Sequence, residues 1–195
     1  MLLLRAGRWA LLLTALSVFS AQAQEACLAC HGPDGNSVTP GIPSIAGQPK
    51  LFLETQLVLM REEVRPAPQM LPLLKGMKDA EIVRLAEHFS KLPAKSMAAG
   101  PGDEALLSKG RDLAGKLRCG ICHLSDYSGQ KQIPRLADQR EDYLLSELFA
   151  YRDGKRVGGD TMMSSVLYEV PDADLRALAH FLARARPAAP GGPVS

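Results

Sequence analysis

The sequence predicts an all-α protein made of two tandem copies of one small domain. Its 195 residues suit one or two domains of modest size. Similar segments recur in the two halves at an offset of about 91 to 93 residues, which indicates an internal duplication. In both halves apolar residues follow helical spacing, and no alternating strand pattern competes with it.

The composition excludes several classes of protein. With 46% hydrophobic and 23% charged residues, the chain has the balance of an ordered globular protein. Lysine plus arginine total 23 and aspartate plus glutamate total 21, so no overall charge favours an anionic partner, and we expect no nucleic-acid binding. The chain is also short for a catalytic subunit that carries several cofactors.

Residues 1–23 are predicted to be a secretory signal peptide. Arg5 and Arg8 form a positive start, a short apolar stretch runs to Ser20, and an A-x-A cleavage site ends at Ala23. The apolar stretch is shorter than the roughly 18 residues of a membrane span, although an uncleaved N-terminal anchor is the alternative. We therefore expect an exported mature protein of a bacterial periplasm that does not span the membrane.

The rest of the chain divides into two copies, a linker and a tail. The copies are residues 24–94 and 103–186, the Gly- and Pro-containing linker is residues 95–102, and the tail predicted to be disordered is residues 187–195. Each copy has two amphipathic helices. In the first copy their apolar faces are Leu53, Leu57 and Met60, and Ile82, Leu85, Ala86 and Phe89. In the second copy they are Leu144, Leu148 and Tyr151, and Leu175, Leu178, Ala179 and Leu182.

The second copy has an additional helix, predicted from Asp103 to Leu117. Leu106 and Leu113 share its apolar face, and Gly110 on the same face would let another helix approach closely. Cleavage of the signal peptide leaves few residues before the first motif, so the first domain is predicted to lack this helix.

All four cysteines lie in two C-x-x-C-H motifs. The motifs are Cys27, Cys30 and His31, and Cys119, Cys122 and His123. This pattern attaches haem c, because cysteines three positions apart reach the two vinyl groups of one porphyrin and the adjacent histidine binds the iron. The sequence therefore predicts two covalently attached haem c groups.

Zinc binding and disulfide formation are the alternative interpretations of these cysteines. Zinc ribbons usually separate their two cysteine pairs by about 15–20 residues, whereas 88 residues lie between Cys30 and Cys119. Disulfides form in an oxidising compartment, but they give His31 and His123 no role. Haem attachment accounts for all six residues.

The duplication also indicates the second axial ligand of each iron, which decides whether the iron transfers electrons or binds small molecules. Met70 and Met163 each lie nine residues before equivalent aspartates, Asp79 and Asp172. Both are predicted to lie in loops before the last helices. A thioether ligand favours ferrous iron and so raises the reduction potential.

Other side chains compete for this role. An isolated methionine is more often a core residue than a ligand, and Met60 is interpreted as core. Met77 and Met162 are the runners-up in the first and second domains. His88 and His180 occupy non-equivalent positions on or near polar helix faces, which predicts solvated surface histidines.

In both copies the motif, a proline about twelve residues later and a methionine before a final helix follow the order found in class I cytochromes c. Two such copies in one exported chain resemble the dihaem cytochrome c4 family over residues 24–186. The resemblance implies two class I domains, each wrapped around one haem. It implies His31 with Met70 and His123 with Met163 as axial ligands, and hydrogen bonds from the two histidines to the carbonyls of Pro43 and Pro134.

The resemblance implies an electron carrier rather than an enzyme, because filled axial positions leave no site for a substrate on the iron. The expected partners are redox proteins: a terminal oxidase, a cytochrome complex or a periplasmic dehydrogenase. The alternative function is a tightly bound cytochrome subunit of a periplasmic dehydrogenase. Lys131, Arg135 and Arg140 either neutralise propionates of the second haem or are solvated surface charges.

The two methionine segments differ in predicted stiffness. Residues 66–72 contain three prolines around Met70, which restrict the segment when it is not bound to iron. Two glycines precede Met163 and impose no such restraint. The bond between Met163 and iron is therefore predicted to be the more easily displaced.

Overall fold

The computed structural model describes residues 24–98 and 100–186. The predicted signal peptide, residues 1–23, and the predicted tail, residues 187–195, lie outside the described residues. The described ranges contain helices and no β-strand, which confirms the all-α prediction. None of the helices in these ranges combines the length and the hydropathy needed to cross a membrane.

Within the described residues, the two halves contain the same helices in the same order, apart from one additional helix in the second half. The first half has α1 (24–31), α2 (Lys50–Arg61), α3 (Leu71–Leu74) and α4 (Asp79–Lys91). The second half has α5 (Glu104–Lys116), α6 (Gly120–His123), α7 (Glu141–Arg152), α8 (Thr161–Leu167) and α9 (Asp172–Leu182). Helix α5 is the additional helix predicted before the second motif.

The core of the second half lies where α9 packs against α5 and α7. The helical spacing of its apolar residues gives α9 a continuous buried face. The main members of this core are Leu144 and Leu148 of α7 and Leu175, Leu178, Ala179 and Leu182 of α9. The apolar faces predicted for α7 and α9 are thus the faces that form the core.

Helices α5 and α9 approach each other closely at Gly110. A Cβ atom at this position would lie 2.5 Å from Cβ of Phe181 and closer still to the carbonyl oxygen of Ala177. Only glycine fits such a contact, so the prediction of close helix packing at Gly110 is confirmed. Asp103 caps the start of α5, because its carboxylate accepts hydrogen bonds from the N–H groups of residues 105 and 106.

Helix α4 has a different outer face from its counterpart α9. It packs against α2, and its inner face contributes to a smaller core. At the positions equivalent to Ala177 and Phe181, where α9 contacts α5, helix α4 carries Arg84 and His88. Arg84 is exposed and His88 is half-buried. Polar side chains therefore occupy, on α4, the positions at which α9 contacts α5.

Reciprocal hydrogen bonds join the two halves with approximate twofold symmetry. The side-chain amide of Gln139 accepts from the N–H of Ser44 and donates to its carbonyl, each at 2.8 Å. The amide of Gln48 makes the same pair with the backbone of Arg135, at 2.9 and 3.0 Å. Since the two glutamines occupy equivalent positions, one contact is made twice, as in an isologous interface.

A second polar cluster repeats this symmetry between α2 and α7. The amide oxygen of Gln56 accepts from Arg65 at 2.8 Å and from Arg156 at 3.0 Å. Both arginines also form ion pairs with Glu147, at 3.5 and 2.5 Å. Two independent clusters therefore hold the halves in one relative orientation.

Candidate haem-binding sites

Each C-x-x-C-H motif lies on a helical segment that ends at its histidine. Cys27 and Cys119 are half-buried and pack against the cores of their domains, whereas Cys30 and Cys122 are exposed. Cys30, Cys119 and Cys122 are free thiols, so neither pair is closed by a disulfide. Thiols three residues apart on one helical turn are neighbours on the same side, which fits attachment of one porphyrin edge at two points.

The two motif histidines are buried and oriented in the same way. Nδ1 of His31 donates a hydrogen bond to the carbonyl of Pro43, and Nδ1 of His123 donates to the carbonyl of Pro134, each at 2.8 Å. Because a carbonyl only accepts, the proton lies on Nδ1 and the Nε2 lone pair is available to a metal. The structure thus contains both hydrogen bonds that the family resemblance implies.

The protonation state of the two motif histidines suits iron binding. Burial lowers the pKa of His31 and of His123, and the hydrogen bonds to the proline carbonyls offset part of this lowering. Both imidazoles are therefore neutral at pH 7, the form that binds iron. Burial raises the pKa of the Cys27 and Cys119 thiols, which keeps them in the less reactive protonated form.

The two predicted methionine ligands lie at the start of the short helix that precedes the last helix of each domain. Met70 directly precedes α3, and Met163 is in the first turn of α8. Both are half-buried. The prediction that Met163 lies in a loop is wrong, because the carboxylate of Asp160 accepts from the N–H of Met162 at 2.8 Å and starts a helix there.

The alternative methionines have environments of their own. Met162 is 62% exposed on α8. Met77 packs against the core of the first domain, and its carbonyl accepts from Arg61 at 2.8 Å. In the second domain Arg152 donates in the same way to the carbonyl of Val170, at 3.2 Å. Met77 is therefore the counterpart of Val170, an apolar residue packed against its own core.

His180 is not the surface histidine that the sequence predicted, since its residue is only 6% exposed. Its Nε2 accepts from the N–H of Asp103 at 2.9 Å, and its Nδ1 donates to Glu141 at 3.0 Å. The ring is buried because the start of α5 covers this part of α9. Both ring nitrogens are engaged, so His180 anchors α5 and is not available to a metal.

The three basic residues considered near the second haem have different environments. Lys131 is exposed. Arg140 is half-buried, forms an ion pair with Asp142 at 2.8 Å and donates to the carbonyl of Ser37 at 3.2 Å. Arg135 is buried between the domains, with 3% of the residue exposed, so it is not a solvated surface charge.

Sequence reasoning did not identify the two interface glutamines. A signal for them was present, because the same glutamine follows the proline loop in both copies, at positions 48 and 139. A polar residue kept in both halves of a duplication is expected to share one role, and here both residues bind the opposite domain.

Comparisons with known proteins agree with this geometry. A cytochrome c family profile matches residues 107–186. The chain is 31% identical over 193 residues to a cytochrome c4 of Pseudomonas aeruginosa, an alignment that covers 93% of this chain and 94% of that protein. The chain belongs to the cytochrome c4 family. The crystal structure of reduced recombinant cytochrome c4 from Pseudomonas stutzeri matches with a TM-score of 0.76 at 29% identity, covering 86% of this chain and 98% of that one.

Another relative carries a more specific name. The thiosulfate dehydrogenase electron acceptor of Thiomonas intermedia (strain K12) is 31% identical over 174 residues, covering 84% of this chain and 80% of that protein. This relative is named for the enzyme from which it accepts electrons.

As a cytochrome c4 family member, the protein is a dihaem electron-transfer cytochrome with two tandem class I domains. It is an electron carrier, not an enzyme. Its family implies covalently attached haem c, and the two C-x-x-C-H motifs are consistent with two such groups.

Proposed function

We propose that this cytochrome is an exported periplasmic carrier that delivers single electrons to a terminal oxidase. In this proposal His31 and Met70 bind one iron, and His123 and Met163 bind the other. The observation that carries it is the repetition of one arrangement. In each domain a buried histidine is held at 2.8 Å by a proline carbonyl, and a half-buried methionine lies at the start of the short helix before the last one. Two filled coordination spheres suit electron transfer.

The chain prepares each site for this task. The bound haem supplies an iron that gains or loses one electron. Pro43 and Pro134 hold the imidazole rings and increase their basicity as ligands. Met70 and Met163 offer neutral thioethers, which favour the ferrous state. The reciprocal contacts of the two interface glutamines keep the sites at one separation, so that an electron passes between them without domain movement.

The choice of methionines can be tested directly. We expect Met70→Ala and Met163→Ala each to remove the methionine ligand of one haem. That haem should then bind added imidazole without competition from a methionine, and its midpoint potential should be lower. Met77→Ala and Met162→Ala are the matched controls, and both should keep two native haem spectra. Loss of a native spectrum in Met77→Ala, with Met70→Ala unaffected, would reverse the assignment in the first domain.

The acceptor is tested with prereduced holoprotein and membranes from its own source. We expect fast oxidation that cyanide abolishes, as a terminal oxidase requires. Two intact haems and no oxidation would overturn the oxidase as acceptor. Haem content per chain is measured on the same sample, so that incomplete haem attachment is distinguished from a wrong partner.

A second candidate is a cytochrome subunit bound to a periplasmic dehydrogenase. The relative named as a thiosulfate dehydrogenase electron acceptor favours it, as does the first domain. We propose that this domain lacks an N-terminal helix like α5, which Arg84 and His88 on α4 support because they replace the apolar contact residues of α9. A stable complex with a dehydrogenase on purification would favour the subunit over the diffusing carrier.

A further inference from the structure

A buried guanidinium group lies between the two domains. Nη1 of Arg135 donates to the carbonyl of Ala137 in the second domain, and Nη2 donates to the carbonyl of Ala46 in the first, at 2.9 Å. Ala46 and Ala137 occupy equivalent positions in the duplication. The cation is therefore bound to the same carbonyl of each domain, which places it close to the pseudo-twofold axis.

In the described part of the chain, no carboxylate lies within ion-pair distance of this guanidinium. Arg135 takes part in none of the ion pairs there, and its Nε is buried without a hydrogen-bond partner. Burial lowers the pKa of Arg135 to about 10, while the charge of Asp138 acts to raise it, so the group is a desolvated cation at pH 7. Oδ1 of Asp138 is also buried without a partner. A buried charge of this kind is costly unless an anion offsets it.

The loops that bind this cation are the loops that orient the axial histidines. Ala46 and Ala137 each lie three residues after the proline whose carbonyl accepts from a motif histidine. The residue equivalent to Arg135 in the first domain is Ser44, which carries no charge. The duplicated protein thus has a single cation for two equivalent sites.

We propose that Arg135, a buried cation held between the loops that orient both motif histidines, raises the reduction potentials of both haems together. Adding an electron lowers the positive charge of an iron site by one, so a fixed cation in a low-dielectric interior stabilises the reduced form. Because Arg135 contacts equivalent atoms of the two domains, its effect is similar at both irons. This inference rests on the haem ligation proposed above.

The test is a spectroelectrochemical titration of the Arg135→Gln holoprotein. We expect both midpoint potentials to fall, with the ferrous-to-ferric equilibrium constant of each haem lowered on the order of tenfold, which corresponds to about 59 mV for one electron. The difference between the two potentials stays unchanged. Arg135→Lys keeps the charge and should restore most of both potentials.

Arg140→Gln is the matched control, because it removes the same charge from the same interface. Its guanidinium is already paired with Asp142 and is partly exposed, so we expect a smaller shift that added salt removes. The shift caused by Arg135→Gln should persist in high salt. Asp138→Asn should move both potentials upward, which tests the proposal even where Arg135→Gln folds poorly.

Unchanged potentials in Arg135→Gln and Asp138→Asn would overturn the proposal. A fall confined to one haem would also overturn it, because the cation would then serve a single site. Haem content and axial-ligand spectra of the wild type are recorded first. A failure of the proposed ligation appears in those spectra, separately from any shift in potential.

Discussion

Replacing Gly110 with alanine should destabilise the second domain, although alanine is the better helix former. In an open helical position this change stabilises by about 1 kcal/mol. At Gly110 the new Cβ would lie 2.5 Å from Cβ of Phe181 and closer to the carbonyl oxygen of Ala177, and Cβ contacts under 3.0 Å are essentially never found. One of these contacts is backbone and cannot rotate away, so α5 and α9 must separate.

The expected loss follows from these opposing effects. Overpacking of a tight core contact costs about 1–3 kcal/mol, and a contact with backbone belongs at the upper end. After the gain in helix propensity, we expect a net loss of about 2 kcal/mol. Gly115→Ala is the control, because Gly115 lies exposed on the same helix with no atom within 4 Å of its Cβ position. That variant should gain about 0.5–1 kcal/mol.

The assay is urea unfolding of the two holoprotein variants and the wild type, followed by far-ultraviolet circular dichroism at equal haem content. The variants should differ from each other by about 3 kcal/mol. A Gly110→Ala protein that is as stable as the wild type would show that α5 and α9 are not in close contact at this position. Equal stabilisation by both substitutions would refute the steric argument altogether.

Three further predictions concern single polar residues. His180→Ala should cost about 1–3 kcal/mol, because it removes two partly buried hydrogen bonds that anchor the start of α5 and Glu141 to α9; urea unfolding measures this. Asp160→Ala removes the cap of α8 and costs that helix about 1 kcal/mol. Imidazole should therefore displace Met163 with an apparent affinity about fivefold higher, as spectral titration measures. Lys95 holds the pKa of Asp34 at about 2, below its ordinary value of 3.8. The contact between Lys95 and Asp34 therefore stabilises the fold above about pH 4, and this stabilisation is lost as the pH falls from there towards 2. Asp34→Asn should weaken the pH dependence of stability in that window.

Each of these predictions has a control. His88→Ala should cost less than His180→Ala, because His88 is half-buried and its ring makes a T-shaped contact with the ring of Phe89; equal losses would contradict the anchoring role of His180. Asp160→Asn retains a capping side chain and should leave imidazole binding unchanged. Identical acid unfolding curves for the wild type and Asp34→Asn between about pH 4 and 2 would show that the Lys95 contact adds no stability.

The sequence by itself determined the features that depend on residues close together in the chain. The haem attachment motifs are local because both thiols and the histidine lie within about one helical turn. The apolar faces of α7 and α9 follow from the helical repeat, and the buried residues of both helices match that prediction. The duplication extended this information, because it paired Met70 with Met163 across the two halves.

Only the tertiary structure decided which polar groups are buried and what they contact. Arg135 is buried because a carbonyl 89 residues away, that of Ala46, receives one of its hydrogen bonds, and no local pattern predicts such a partner. His180 lies near the polar side of α9 and is buried because the start of α5 covers it. The burial of a polar side chain depends on which distant segments pack over it, and that packing arises only when the whole chain folds.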